Sequence, residues 1–290
     1  MKPPAFDYAA PTQVAEVIDL LTAHADAEPR VIAGGQSLVP LMNFRLAQPG
    51  ILIDLQHVSG LSDIRLTDDE LVIGAMVRQS AAEESADVRA AAPLLVEALG
   101  YVAHLPIRNS GTIGGSIAHA DPSAELPAAV LALDATMTTA GPGGERRIPA
   151  AEFFQGPFAT ALQPDEILTE LRIPRRAGAH AFVEFARTHG SFAVVAVAVD
   201  IAVDDAGTVT RAAIALSGVG ATAIRAAATE AALVGTAPDA ESIRSAVAAT
   251  VAVLSPAGDV HGSSETKVDA ARAYLRRGIE LALDRAANRR

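Results

Sequence analysis

Apolar residues at helical spacing, Val14, Val17, Ile18 and Leu21, predict an opening helix led by Pro11 and Thr12, with one face turned toward a sheet. Residues 30–33 form a short extended run that stops at Gly34 and Gly35. Residues 38–46 return to helical spacing and 51–55 are extended again, so a β-loop-α-β unit is expected. Two short apolar runs, 64–66 and 71–73, flank the polar tip 67–70 and predict a hairpin that opens a second subdomain. Residues 80–101 have a helical pattern that Pro93 divides into two helices, because proline is well tolerated as a first helical residue. A glycine-rich segment, 108–121, then interrupts the regular structure. Residues 124–133 read as a helix or a buried apolar run, 141–144 as a turn, and 168–173 as a strand ending at Pro174. The stretch 175–180 is the best linker, and the domain boundary is placed there. Beyond it, strands at 192–203 and 209–216 are joined through Asp204, Asp205, Ala206 and Gly207, and helices are expected at 241–254 and 268–286.

Composition narrows the function. A chain of 290 residues is long enough for two or three units with sizeable cores, and half of its residues are hydrophobic. A formal net charge of -11 argues against nucleic acid as a partner, since affinity for that polyanion comes from neutralising phosphates with Lys and Arg. With no cysteine, the chain cannot hold a disulfide, a thiolate-bound metal or an iron–sulfur cluster. The first ten residues lack a signal segment and no later stretch reads as a membrane span, so a cytoplasmic location is expected.

Two glycine loops carry the candidate chemistry. In the first, an extended run feeds Ala33, Gly34, Gly35, Gln36, Ser37 and Leu38 into a helix start. The missing Cβ atoms let the backbone approach phosphate oxygens, and the unpaired N–H groups of a helix start favour negative charge. In the second, Thr112, Ile113, Gly114, Gly115 and Ser116 follow Arg108-Asn109-Ser110-Gly111, and Asp121 can accept from a ribose hydroxyl. Either loop alone is compatible with a simple tight turn, whereas two together can close around a dinucleotide diphosphate. Neither is a Rossmann or P-loop fingerprint. Gly218-Val219-Gly220 reads as a turn. The seven histidines show no metal-ligand spacing, Ser37 has no evident base, and His119 and Asp121 are read as satisfying loop backbone or ribose hydroxyls. No catalytic residue and no metal site are assigned.

The motifs Ala33-Gly34-Gly35-Gln36-Ser37-Leu38, Arg108-Asn109 with Gly111 to Ser116, Ala118-His119-Ala120-Asp121-Pro122 and Glu125-Leu126-Pro127-Ala128 resemble those of the FAD-binding medium subunits of molybdenum hydroxylases, relatives of aerobic carbon monoxide dehydrogenase and xanthine dehydrogenase. The resemblance covers essentially the whole chain. It implies an α+β protein with a p-cresol-methylhydroxylase-type FAD-binding fold: an FAD domain, 1–176, of two α/β subdomains (about 1–57 and 58–176), and a C-terminal domain, 177–290, of antiparallel strands and helices. It assigns Ala33 to Leu38 and Thr112 to Ser116 to the FAD diphosphate, and puts Asp121, Leu168 and Phe192 beside the flavin. It further implies a large partner with the molybdenum cofactor and a small partner with [2Fe-2S] clusters, assembled as a dimer of heterotrimers. Relatives often have Gly-Asp-Tyr-Ala where this chain has Gly190-Ser191-Phe192-Ala193, so a ring is offered near the flavin without a hydroxyl. Ser116 to Pro122 also departs from the Asn-x-x-x-Gly-Asp-Pro of carbon monoxide relatives, which points to an organic substrate in the partner. Two other readings stay open: a self-contained flavin oxidase or reductase, and a non-redox nucleotide-binding module.

Overall fold

The computed structural model describes residues 2–288. Its first unit runs β1 (Asp7–Ala9), α1 (Val14–Ala23), β2 (Arg30–Ile32), α2 (Leu38–Asn43) and β3 (Ile51–Asp54). β3 lies in the centre and pairs parallel with both neighbours, an arrangement that requires the crossovers made by the helical connections. Val17 and Leu21 of α1 pack with Ile51, Ile53 and Leu55 in a small core. α1 starts later than Pro11 and Thr12 suggest, because Gln13 is the cap and the Glu16 carboxylate accepts from the Thr12 N–H at 2.7 Å. α2 stops at Asn43, short of the expected Leu46. Arg45 takes a left-handed φ of 58°, and Phe44 and Leu46 are left exposed.

A second unit follows with β4 (Ile64–Leu66), β5 (Glu70–Gly74), α3 (Gln79–Glu84), α4 (Ala86–Ala91), α5 (Pro93–Tyr101), α6 (Leu105–Ser110), α7 (Ile113–His119), α8 (Glu125–Ala132), β6 (Thr136–Gly141), β7 (Gly144–Pro149), α9 (Ala150–Phe153), β8 (Phe154–Gly156), β9 (Ala159–Thr160) and β10 (Ile167–Pro174). Its main sheet has the order β4-β5-β10-β6-β7 and is antiparallel throughout. The region 80–101 holds three helices rather than two, since the Ser85 hydroxyl accepts from the Val88 N–H at 3.3 Å and caps a separate α4. The glycine-rich segment is also more regular than its composition suggests. α6 and α7 occupy most of it and break only at Gly111 and Thr112. All of α8 is buried, which explains why its sequence shows no amphipathic stripe.

The C-terminal unit comprises β11 (Ala179–Phe185), β12 (Val195–Val203), β13 (Val209–Ser217), β14 (Ile224–Arg225), α10 (Ala227–Leu233), α11 (Ala240–Val251) and α12 (Ser264–Ala287). The strands form an antiparallel meander. One face, with Val183, Val197, Val199 and Ile214, packs on α11 and α12; the other, with Phe182, Ala196, Ala198 and Ala215, joins the core of the second unit. The stretch 175–180 is less of a linker than expected. Arg175 donates its N–H to the Asp69 carbonyl at 2.8 Å, Arg176 pairs with Asp134, and β11 has begun by Ala179. β12 starts at Val195 rather than Phe192. Ser263 caps α12 by accepting from the Thr266 N–H at 3.1 Å, and the buried Lys267 pairs with Asp259 at 2.6 Å. Arg289 and Arg290 lie outside the described residues.

Glu97 of α5 is a main tie across the seam between these units. Its carboxylate accepts from the Phe182 N–H at 3.0 Å and from the Arg285 guanidinium at 2.7 Å, and lies 3.3 Å from His180 Nε2. Burial pushes its pKa up, but the hydrogen bonds from His180, Arg285 and Phe182 outweigh that and hold it below the usual carboxylate range. Such a group stabilises the fold above the unfolded-state pKa and loses that contribution as pH falls through the lowered folded-state value. Glu97→Gln is therefore expected to cost about 2 kcal/mol near pH 7. The gap to wild type should narrow as urea melts are repeated below about pH 4; a gap that widened in acid would contradict the assignment.

Candidate functional site

β2 delivers the chain into the first glycine loop at Ala33, and α2 takes it up at Leu38. Gly35 has φ 70°, a conformation glycine adopts without a Cβ penalty. A Cβ on Gly34 would stand 2.8 Å from Gly111 Cα and closer still to the Ser110 carbonyl oxygen, so the two glycine loops touch backbone to backbone here. The Gln36 side-chain amide donates to the Gly34 carbonyl at 2.9 Å, and Gln36 and Ser37 are both exposed. Among the described residues, no protein group accepts from the N–H groups of Gly35, Gln36 or Ser37. Three adjacent donors thus point away from the protein's own acceptors, which fits an anionic oxygen ligand.

The second loop is built differently. Ile113 donates its N–H to Val77 at 2.9 Å, Gly114 to Ala75 at 2.9 Å, and Gly115 to the Thr112 hydroxyl oxygen at 2.9 Å. Its helix-start donors are therefore spent inside the fold, contrary to the expectation that it repeats the donor logic of the first. What it offers is shape. Thr112, Ile113 and Gly114 are buried, Gly115 and Ser116 are half-buried, and the Ser110 carbonyl forms part of the cleft wall. Gly114 is required by close packing, because a Cβ there would sit 2.7 Å from Ala75 Cα. Thr112→Ala should remove the cap of α7, lowering stability by about 1 kcal/mol in denaturant melts and loosening the loop pair.

Between the loops lies a cleft of about 520 Å³, within the usual range for small-molecule sites. Its walls include Gly34, Gly35, Val39, Asp54, Arg78 and Ser110. The Arg78 guanidinium donates to the Ser110 carbonyl and brings a positive charge to the same cleft. Asp54 faces the same space but is engaged, accepting from the Tyr8 hydroxyl at 2.6 Å and the Gln56 N–H at 2.9 Å. Sequence reasoning missed Arg78 as a site residue, since it belongs to no motif and reaches the cleft only through its bridge to Thr112. Asp54 belongs to the extended run 51–55 and stands in no motif of its own.

The remaining residues assigned by resemblance take distinct places. Asp121 uses one carboxylate oxygen to accept from the Ser123 N–H at 2.9 Å, an Asx turn of the kind that orders loops. Leu168 is buried in β10 just before a bulge, and the carbonyl of the next residue, Thr169, accepts from Ala75 at 2.8 Å. Phe192 is exposed, with its ring centroid 6.4 Å from that of His261. Its loop turns at Gly190, φ 79°, directly against His104, the residue that leads into α6. The structure therefore brings Ala33 to Leu38 against the start of the second loop, and leaves Leu168 within the core and Phe192 on a separate rim. Among the described residues no group of His, Cys, Asp and Glu could hold a metal, and no helix is long and apolar enough to cross a membrane.

A glycine turn with free N–H donors, closed by the backbone of a second loop beside an arginine, is the cradle of an anion-binding protein and suits a diphosphate. Residues 4–176 match the family model of the FAD binding domain in molybdopterin dehydrogenase, and residues 180–282 that of the CO dehydrogenase flavoprotein C-terminal domain. The chain belongs to this family of FAD-binding medium subunits of molybdenum hydroxylases, and is an oxidoreductase subunit. It is 40% identical to the 6-hydroxypseudooxynicotine dehydrogenase complex subunit alpha of Paenarthrobacter nicotinovorans, over 99% of this chain and 97% of the relative. It is 36% identical to the carbon monoxide dehydrogenase medium chain of Hydrogenophaga pseudoflava, over 99% of this chain and 100% of the relative. The solved carbon monoxide dehydrogenase from Hydrogenophaga pseudoflava that lacks the Mo-pyranopterin moiety superposes with a TM-score of 0.96 at 39% identity, covering 98% of this chain and 99% of that one. Quinoline 2-oxidoreductase from Pseudomonas putida 86 gives 0.94 at 38% identity, covering 99% of both chains.

Proposed function

We propose that the chain is the electron-transferring subunit of a heteromeric molybdenum hydroxylase, receiving electrons from iron–sulfur clusters of a small partner and passing them to an external acceptor. Substrate is oxidised at the molybdenum cofactor of a large partner, and two such heterotrimers pair. The observation that carries this reading is the row of free N–H groups at Gly35, Gln36 and Ser37, in a turn whose Gly35 and Gln36 line the cleft together with Arg78. Those three donors hold the FAD diphosphate, Gly34 lets the second loop close on it, and Arg78 offsets its charge. Asp121 keeps one carboxylate oxygen for a hydroxyl of the cofactor, the β10 backbone at Leu168 backs its ring from the core side, and the exposed Phe192 ring closes over it from the rim when the loop at Gly190 moves in. Bound FAD supplies redox chemistry that links one-electron donors to a two-electron acceptor. A cysteine-free chain has no cluster of its own and depends on a partner for electrons.

The substrate is an organic compound rather than carbon monoxide. The departure at Ser116 to Pro122 supports this. The location is cytoplasmic. An absorption spectrum of the natively purified protein, with its accompanying chains resolved by mass, tests the whole reading. Stoichiometric FAD, one larger and one smaller chain and added iron–sulfur absorbance are expected. Flavin on a lone chain that turns over substrate would favour a self-contained oxidase, and purification without flavin would leave only nucleotide binding.

A further inference from the structure

The cleft between the glycine loops holds a carboxylate to which the proposed function gives no task. Among the described residues that line it, Asp54 is the single acidic one and Arg78 the single basic one. Asp54 ends β3, and in the parallel pairing it lies opposite Ile32, the last residue of β2 before the first glycine loop. The Leu55 N–H donates to the Ile32 carbonyl at 3.1 Å and fixes the two strand ends side by side. Adjacent strands run about 4.8 Å apart, so Asp54 stands one strand away from the turn that carries the free N–H groups. The carboxyl ends of parallel strands are where open sheets place their ligands.

A carboxylate beside a diphosphate cradle repels the ligand unless the ligand also brings hydrogen-bond donors to it. The fold holds this one in place. Its Oδ2 accepts from the Tyr8 hydroxyl of β1 at 2.6 Å, and its Oδ1 from the Gln56 N–H at 2.9 Å. Both partners are neutral donors, so they orient the carboxylate without cancelling its charge. An ionised carboxylate has about four lone-pair sites, two on each oxygen. One site on each oxygen therefore stays open, a fixed pair of acceptors suited to two adjacent hydroxyls. Ile32, Val39 and Pro40 add apolar wall to the same cleft. Free N–H groups for a diphosphate, paired acceptors for a vicinal diol and an apolar wall for a flat base are the three chemistries of a ribonucleoside diphosphate. Asp121 is not among the residues lining this cleft, and the ribityl hydroxyls of FAD remain for it.

We propose that Asp54 binds the two ribose hydroxyls of the adenosine half of the cofactor, with Tyr8 as the positioning residue that aims its carboxylate. This rests on the flavin reading above and names the residue by which the chain takes the dinucleotide rather than flavin mononucleotide, which lacks that ribose. Each hydroxyl donates to one carboxylate oxygen, and these bonds replace the water that the carboxylate gives up when the cleft fills. The Tyr8 hydroxyl keeps the carboxylate from swinging toward the diphosphate. Asp54 thus opposes a plain anion and favours the same anion carried on a ribose, and the choice of ligand separates the two effects.

The test is calorimetric titration of the full chain, freed of FAD, with ADP, deoxy-ADP, dideoxy-ADP and inorganic pyrophosphate. Wild type should lose about 10-fold in affinity for each hydroxyl removed, the low end for a hydrogen bond to a charged group. Asp54→Ala should bind ADP and dideoxy-ADP equally, and should hold pyrophosphate no more weakly than wild type does. Tyr8→Phe should lower the ratio of ADP to dideoxy-ADP affinity and leave pyrophosphate binding as it was, a selectivity that a merely structural hydroxyl would not affect. Equal binding of ADP and dideoxy-ADP by wild type overturns this inference alone; if inosine diphosphate is then the weaker ligand, the carboxylate takes the amino group of the base instead. A wild-type chain that binds neither pyrophosphate nor FAD overturns the flavin reading as well.

Discussion

Gly34→Ala is expected to yield a folded protein that binds FAD at least 100-fold more weakly. The added Cβ would meet backbone on the far side, 2.8 Å from Gly111 Cα and nearer to the Ser110 oxygen, and no rotamer change relieves such a clash. The loops must separate, which breaks the bond from Arg78 to Ser110 and spoils the alignment of the three free N–H donors. A loss of two charge-assisted hydrogen bonds of about 1.5–3 kcal/mol each accounts for a drop of that size. The affected turn lies at the cleft rather than in a core, so the melting temperature should move little. Flavin titration of the cofactor-free protein reads the first quantity and calorimetry the second. Gly34→Ala that holds stoichiometric FAD would show that the two loops do not enclose the diphosphate. Gly35→Ala is a useful control: its strain comes from φ 70° and a movable Val39 side chain, so its effect should be smaller.

Gly114→Ala should act on the fold itself, costing about 3 kcal/mol or more in denaturant unfolding. Its Cβ would lie 2.7 Å from both Cα and O of Ala75, inside a buried contact between α7 and the end of β5. Overpacking of a tight core site usually costs about 1–3 kcal/mol, and here the obstacle is backbone that also holds the bond from Gly114 to Ala75. A shift of α7 would carry Thr112 and Ser116 with it, so FAD loss would accompany the destabilisation rather than occur alone. Wild-type stability in this variant would mean that Ala75 can retreat, and that the close approach of α7 is not needed.

These contrasting glycines mark the limit of what the amino-acid pattern makes legible. The strand-Gly-Gly-helix turn at 33–38 is local, and periodicity with glycine placement is enough to find it. The hairpin at 64–74, the strands around the turn at Gly207 and the last two long helices are local in the same sense. By contrast, α7 carries two adjacent glycines that ordinarily disfavour a helix, and it exists because Ala75 and Val77 receive its first N–H groups. β11 escapes notice because His180 and Glu184 interrupt its apolar run, and only the facing units show why polar groups stand there. Arg78 could not be assigned to the cleft from sequence, since its partner Ser110 is 32 residues away. The difference between the loops, one with its helix-start N–H groups free and one with them spent on Val77, Ala75 and Thr112, is likewise set by tertiary contacts.

The sheet order β4-β5-β10-β6-β7 has a bearing on biosynthesis. β10, the last of these strands to leave the ribosome, is the one that fills the centre, and through Thr169 it receives the N–H of Ala75, the residue on which Gly114 rests. Both glycine loops emerge well before the strand that braces them. A nascent chain halted short of Ile167 would display every residue of the cleft yet leave β5 and β6 with bare edges, a state inclined to stick to other chains. The glycine loops are thus complete along the chain well before the strand that braces them, and the site reaches its final shape only once residues 167–174 are in place.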